Sequence, residues 1–143
     1  MSYVAGSTFM VDPRNETSVA THTYVIISDP SVNPENLIAV NFTGYDMAMR
    51  DMHRNDPACL VNRGDHPYIT KPTSVNYAEY ASFSPASLGV FEGKDLIQHL
   101  EPVSPALLAR MRKGAFDSKF PPKKLLNALK AQGVTAETAA ESS

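Results

Sequence analysis

The sequence contains only one cysteine, Cys59, and no tryptophan. One cysteine cannot form an intrachain disulfide, and a chain of 143 residues is long enough to bury a core without such help. No apolar run approaches the roughly 20 residues of a membrane span, and residues 1–6 lack the basic and apolar regions of a signal peptide. We therefore expect one domain, located in the reducing cytoplasm and not associated with a membrane.

The formal net charge of −2 conceals an uneven distribution along the chain. Residues 1–103 carry six Lys or Arg against twelve Asp or Glu, whereas residues 104–133 carry seven basic residues and only Asp117 as an acid. Two interpretations follow. Either the basic segment meets an anionic partner, such as nucleic acid or an acidic protein surface, or it folds back on the acidic body of its own chain.

Short β-branched and aromatic segments, separated by turn residues, dominate the first two thirds of the chain. The eleven prolines and seven glycines supply the turns. We predict strands at 7–11, 21–28, 37–45, 58–61, 74–77 and 78–83. The segments 24–27 and 38–42 are the most apolar, and we expect them to form adjacent buried strands.

One of these strands carries polar residues on a single face. Strict alternation between residues 37 and 45 places Asn41 and Thr43 opposite Val40 and Phe42. Polar groups on a buried strand require either hydrogen bonds or a ligand. We expect Thr43 to face solvent or a cleft.

The pattern changes from strands to helices near residue 94. Residues 94–100 have a helical spacing, Ser104-Pro105 is a helix start that Gly114 ends, and a further helix runs from Pro121-Pro122 towards Gly133. The predicted fold is mainly β, a small SH3-like barrel or roll followed by two or three C-terminal helices. We divide the chain into a barrel domain at 1–93, a helical basic arm packed on it at 94–133, and a disordered tail at 134–143.

Residues with chemically useful side chains cluster around the predicted turns. His22, Cys59, His66 and a carboxylate contain the donor atoms of a zinc site, but no C-x2-C or H-x3-H pair exists, so we expect no metal and no cofactor. Cys59 lies in the apolar segment A-C-L-V, where a buried thiol is usually inert. A cysteine hydrolase is the alternative, and it requires His66 or His22 to lie beside the thiol. His66, in the turn G-D-H-P, either takes part in chemistry or bonds a turn carbonyl, and the sequence leaves both open.

The order of the strands resembles a known family. The runs G-S-T-F-M-V-D-P at 6–13, T-H-T-Y-V-I-I-S at 21–28 and L-I-A-V-N-F-T-G at 37–44 resemble the opening of the MazF/PemK toxin family, and the resemblance covers roughly residues 6–85. It implies an SH3-like barrel with added helices. It also implies a cytoplasmic endoribonuclease of a toxin–antitoxin system, which has an antitoxin-like protein partner and forms a homodimer.

The resemblance also implies a set of site residues. Thr43 matches the threonine at the strand end that helps to hold the scissile phosphate. His22 stands where the family has its catalytic arginine, and Thr23 replaces the proline that follows it. We therefore predict His22 and Thr43 as catalytic residues and add His66 from its turn. The predicted substrate-binding residues are Arg14 and Arg63 in the loops, with Lys123 and Lys124 in the basic arm beyond the resemblance.

These residues suggest a metal-independent cleavage of single-stranded RNA. The 2′-hydroxyl would act as internal nucleophile, a histidine would carry the proton, and the cations with Thr43 would bind the phosphate. The alternative is a non-catalytic SH3-like module that binds a protein, because a fold does not determine a function. The missing arginine–proline pair and the acidic body favour it, as do the aromatics Tyr24, Tyr45, Tyr68, Tyr77 and Tyr80.

Overall fold

A computed structural model describes residues 3–11, 22–44, 56–119 and 123–134 of the chain. Six strands form one curled antiparallel sheet, a half-barrel, in the order β4-β5-β3-β2-β1-β6. The strands are β1 (Thr8–Val11), β2 (His22–Ile26), β3 (Leu37–Gly44), β4 (Leu60–Val61), β5 (Thr73–Phe83) and β6 (Ile97–Leu100). The helices are α1 (Pro85–Gly93), α2 (Pro105–Asp117) and α3 (Lys123–Ala131). The predicted class, a mainly β barrel or roll with C-terminal helices, is confirmed.

The two most apolar segments form the centre of the sheet. β2 and β3 pair antiparallel, with Val25 opposite Val40 and Ile26 opposite Ala39. Val25, Ile26, Ala39 and Val40 are all fully buried. The prediction of adjacent buried strands here is confirmed, because β-branched residues bury well on both faces of a central strand.

Alternation along β3 sends its side chains to two separate cores. Ile38, Val40 and Phe42 belong to the larger core, which α2 and α3 cover. Leu37 and Ala39 belong to a smaller core, which also holds Leu88 of α1. The odd and even residues of β3 therefore lie on opposite faces of the sheet, as predicted.

β5 is one long irregular strand where the sequence predicts two short ones. Its pairing with β3 shifts between Ala39 and Asn41, which lie opposite Ala81 and Asn76. The extra residues form a bulge, in which the Glu79 N–H donates to Asn76 Oδ1 over 3.2 Å. The bulge explains why no single alternating pattern runs through residues 73–83.

The helix predicted at residues 94–100 is wrong. The helix lies earlier, where Ser84 caps α1 and Pro85 begins it, and the Ser84 and Ser87 side chains bond each other's backbone N–H groups. Asp95 then turns the chain with a φ of 58°. Ile97–Leu100 becomes strand β6 and pairs with β1, from Val11↔Ile97 to Thr8↔Leu100. Ladder hydrogen bonds with β1 therefore override the local helical spacing of this segment.

Gly114 does not end α2, which continues to Asp117. A Cβ atom at Gly114 would lie 2.8 Å from Cys59 Cβ and even closer to the Tyr77 hydroxyl. That hydroxyl donates to the Met111 carbonyl over 2.6 Å. The glycine is thus required for close packing of α2 on β5. The predicted helix start is confirmed, because Ser104 Oγ accepts from the Leu107 N–H.

Gly133 closes α3 as predicted. Its φ is +79°, its N–H donates to the Lys130 carbonyl over 3.0 Å, and the Val134 N–H donates to the Leu129 carbonyl over 2.8 Å. Leu125 and Leu129 are fully buried against the larger core. The predicted tail at 134–143 lies outside the described residues except for Val134. In the part of the chain that the structure describes, no helix has the length and hydropathy needed to cross a membrane.

Candidate functional site

A cleft of about 510 Å³ opens where β3 ends and β5 begins. We call it the Thr43 cleft. Its walls come from the end of β3, the start of β5 and the loop between β4 and β5, and its lining residues are Phe42, Thr43, Gly44, Tyr68, Ile69, Thr70, Lys71 and Thr73. Thr43 is half-buried there. The expectation that it faces a cleft is confirmed.

The cleft combines a hydroxyl, a cation and an exposed aromatic ring. Lys71 Nζ lies 4.0 Å from the position that a Cβ on Gly44 would occupy, so the ammonium sits beside the end of β3. Tyr68 is 44% exposed. Ammonium and hydroxyl groups bind phosphate oxygens, and an exposed ring offers a surface for base stacking. The arrangement is suited to a single-stranded nucleic acid.

Strand register brings His22 to the same end of the sheet as Thr43. β2 begins at His22, whose backbone pairs with Val11. The β2–β3 register runs from Ile26↔Ala39 to Tyr24↔Asn41. The observed pairing ends at Tyr24↔Asn41, and beyond it β2 begins at His22 and β3 continues to Thr43 and Gly44. In an antiparallel pair the start of one strand and the end of the other lie at the same end of the sheet, so the two predicted catalytic residues share that end.

His66 is buried, with 4% of its surface exposed. The Tyr68 N–H donates to His66 Nδ1 over 3.0 Å, so Nδ1 is the acceptor nitrogen of the ring. The proton is therefore on Nε2, which donates to the Glu101 carbonyl over 2.5 Å. Both nitrogens are engaged within the protein. This geometry favours a structural role for His66, a hydrogen bond to a main-chain carbonyl, over a part in the chemistry.

Asn41 lies two residues before Thr43 and points to the same face of β3. It is 2% exposed, and its Nδ2 donates to the Glu79 carbonyl over 3.3 Å. Among the described residues, Asn41 Oδ1 is the buried side-chain atom that has no hydrogen-bond partner. The buried side chain of Asn41 therefore has a hydrogen-bond partner for its Nδ2 group and, among the described residues, none for its Oδ1 atom.

The predicted substrate-binding residues are not all at this cleft. Arg63 is exposed in the turn that precedes the cleft loop, and Arg14 lies outside the described residues. Lys123 and Lys124 are exposed on α3, and Lys124 lines a groove with Ile38. Ile38 is five residues from Thr43 along β3, a distance of about 17 Å. The two lysines thus lie near the other end of the same strand.

The alternatives based on Cys59 have little support in this geometry. Burial raises the pKa of the Cys59 thiol to about 11, against the weaker opposing effect of Arg110. A thiol with so high a pKa is a poor nucleophile at neutral pH. Within the described ranges, no three His, Cys, Asp or Glu side chains are grouped so as to hold a metal ion.

Comparisons with known proteins give a structural likeness and no likeness in sequence. No family model matches the sequence, and no curated protein matches it. A solved structure, described as an endoribonuclease in complex with its cognate antitoxin from a mycobacterial species, is 15% identical and covers 94% of this chain and 98% of its own, with a TM-score of 0.49. A likeness of this size carries no argument about the activity of this chain.

Sequence reasoning missed Lys71 as a site residue and named Tyr68 only among the aromatics of a protein-binding module. Neither residue lies in a motif, and both follow the turn signal at 62–67 in the sequence. They reach Thr43 only because the loop between β4 and β5 folds over the end of β3. Tyr77 of β5, another of those aromatics, is fully buried and bonded to Met111, so it cannot contact a partner.

Proposed function

We propose that this chain is a metal-independent endoribonuclease of the toxin type that cleaves single-stranded RNA. The observation that supports it best is the Thr43 cleft, which combines a hydroxyl, the Lys71 ammonium and the exposed Tyr68 ring at the end of the sheet where β2 begins. The cleft would supply a phosphate-binding pair and a stacking surface, and His22 would supply the proton carrier.

The proposed reaction is an internal transesterification. The RNA 2′-oxygen forms a bond to the neighbouring phosphorus as its proton passes to the His22 imidazole, and the bond from phosphorus to the 5′-oxygen breaks. The leaving 5′-oxygen takes up a proton from solvent water and the His22 imidazolium returns its proton to solvent, which yields a 2′,3′-cyclic phosphate and a 5′-hydroxyl. Thr43 and Lys71 stabilise the charge on the phosphate, and Arg14 and Arg63 add positive charge along the strand.

Incubation of the purified chain with a long single-stranded RNA in EDTA tests the proposal. We expect cleavage with cyclic-phosphate ends, and a loss of at least about 100-fold in rate for Thr43→Val and for His22→Ala. Lys71→Ala should raise KM, whereas Lys94→Ala, an exposed lysine at the end of α1, is the matched control and should leave the rate unchanged. RNA that stays intact at high protein concentration contradicts the proposal.

The basic surface of α3 and a protein partner belong to the same proposal. Lys123 and Lys124 would bind RNA beyond the scissile phosphate, because they are exposed and α3 contains no acidic residue. An antitoxin-like partner would inhibit by covering the Thr43 cleft, and a homodimer would present two such clefts. Light scattering of the purified chain measures directly whether it forms a homodimer.

A protein-binding module is the second candidate, and a separate cleft favours it. This cleft of about 360 Å³ is lined mainly by apolar residues, among them Tyr3, Val4, Pro30, Pro34 and Pro85. Val4 is also strongly exposed. Apolar surface of this kind is typical of protein contacts. A pulldown that returns one stoichiometric protein, from a chain that leaves RNA intact, would favour the module over the nuclease.

A further inference from the structure

His66 connects two parts of the molecule that are distant in sequence. It follows β4, and its partner Glu101 follows β6, 35 residues later. β4 and β6 are the two outer strands of the sheet. The bond from Nε2 of the buried His66 to the carbonyl of the exposed Glu101 therefore links the two edges of the curled sheet.

The other ring nitrogen of His66 organises the cleft loop. Nδ1 accepts from the Tyr68 N–H over 3.0 Å, and the His66 carbonyl accepts from the Ile69 N–H over 3.0 Å. Tyr68 and Ile69 both line the Thr43 cleft, and Lys71 follows them. One imidazole thus bonds the loop on one side and the far edge of the sheet on the other.

The turn before the loop is held independently of His66. The Asn62 N–H donates to Asp65 Oδ2 over 2.8 Å. Arg110 of α2 lies 3.5 Å from the same Asp65 oxygen and donates to the Leu60 carbonyl over 2.6 Å. Residues 60–65 therefore keep their place without the imidazole. Further along the loop, Ile69 is buried in the larger core and the Lys71 carbonyl accepts from the Thr73 hydroxyl. The part of the cleft wall that the imidazole itself bonds is the main chain at Tyr68.

We propose that His66 is a positioning residue, which holds the wall of the Thr43 cleft and so places Tyr68 and Lys71 for RNA binding. The link to RNA rests on the proposed function. The imidazole is suited to this role because its neutral form has one acceptor and one donor on opposite sides of a rigid ring. His66 does not carry the proton of the reaction, since Nε2–H and Nδ1 are both already committed.

Three variants separate positioning from proton transfer. His66→Asn retains an acceptor for the Tyr68 N–H, His66→Gln retains a donor that reaches towards Glu101, and His66→Ala retains neither. The readouts are the Kd for an RNA with a 2′-deoxy scissile nucleotide, kcat and KM on cleavable RNA, and the hydrogen exchange of the Tyr68 and Ile69 amides.

We expect His66→Ala to weaken binding of the uncleavable RNA and to raise KM by tenfold or more, while kcat falls less than about fivefold. Its Tyr68 amide should exchange at least tenfold faster, and His66→Asn should restore most of that protection. A fall of about 100-fold or more in kcat for all three variants, with Kd and exchange unchanged, would overturn the proposal and make His66 a proton carrier.

The exchange and Kd measurements keep this inference distinct from the proposed function. If the native chain cleaves no RNA but His66→Ala still loosens Tyr68 and weakens RNA binding, positioning stands and the nuclease fails. If His66→Ala does not fold, His66→Asn and His66→Gln carry the test. Wild-type exchange and RNA affinity in His66→Gln, which does not retain the acceptor for the Tyr68 N–H, would overturn positioning.

Discussion

The two basic helices α2 and α3 have similar compositions but place their charges in opposite ways. In α2, the Arg112 Nε donates to the Ile27 carbonyl over 2.7 Å, Arg110 bonds the Leu60 carbonyl, and Lys113 pairs with Asp117 over 2.5 Å. The cations of α3 are exposed, and among the described residues none of them forms an ion pair.

The interpretation that the basic segment folds back on its own chain is right for α2, and the interpretation that it meets an anionic partner stays a prediction for α3. α2 lies against the body, so its arginines reach main-chain acceptors at strand ends, and desolvation lowers the pKa of Arg112. α3 buries a narrow stripe of Leu125 and Leu129 and leaves its lysines to the solvent. In the sequence the basic residues form one group. Packing separates them, because the cations of α2 bond to the body of the protein and those of α3 stay exposed to solvent.

The largest expected effect tests the packing of α2. Gly114→Ala places a methyl group against Cys59 and the Tyr77 hydroxyl, and should destabilise the fold by on the order of 3 kcal/mol through overpacking and loss of the bond to Met111. Gly89→Ala in α1 is the matched control, since nothing lies within 4 Å of the new atom. It should be neutral or stabilising by up to about 1 kcal/mol. Urea unfolding measures both, and equal effects would contradict the close packing.

The second test removes an inward cation of α2. Arg112→Ala leaves the Ile27 carbonyl without its donor and should cost about 2 kcal/mol in the free energy of unfolding. Lys130→Ala on α3, which is exposed, should change it by less than about 0.5 kcal/mol. If the two variants unfold at the same urea concentration, the distinction between the helices is wrong.

The third test concerns RNA and the outward cations. Lys123→Ala/Lys124→Ala should lower RNA affinity, with little change in stability. It should also reduce the salt slope of log K by roughly 0.7 for each phosphate that the variant no longer neutralises. Lys94→Ala is again the control. Filter binding at several salt concentrations gives the slope, and an unchanged slope would show that α3 faces another kind of partner.

The smallest expected effect concerns Lys113. Its ion pair with Asp117 joins successive turns of α2 at the surface, so Lys113→Ala should cost at most about 0.5 kcal/mol and leave RNA binding unchanged. Urea unfolding and filter binding check this. A loss of RNA affinity equal to that of the α3 double variant would extend the binding surface onto α2.

Local patterns were enough to predict the central strands, the start of α2 and the end of α3. Alternation in β3 predicted its two faces, Ser104 predicted the start of α2, and Gly133 predicted the end of α3, because each depends on neighbours within a turn or a strand. The helix prediction for the segment of β6 is wrong, because its local spacing carries no information about β1. Its pairing with β1 depends on residues near the other end of the sequence.

The sequence by itself determined a mainly β chain with buried β2 and β3, a cleft-facing Thr43 and a basic C-terminal segment. Only the tertiary structure decided that Lys71 and Tyr68 meet Thr43, that His66 links the cleft loop to Glu101, and that Lys124 lies at the far end of β3. The reason is physical. Periodicity and capping act over a few residues, whereas a cleft is assembled by the curl of the sheet, which brings together loops that no local pattern relates.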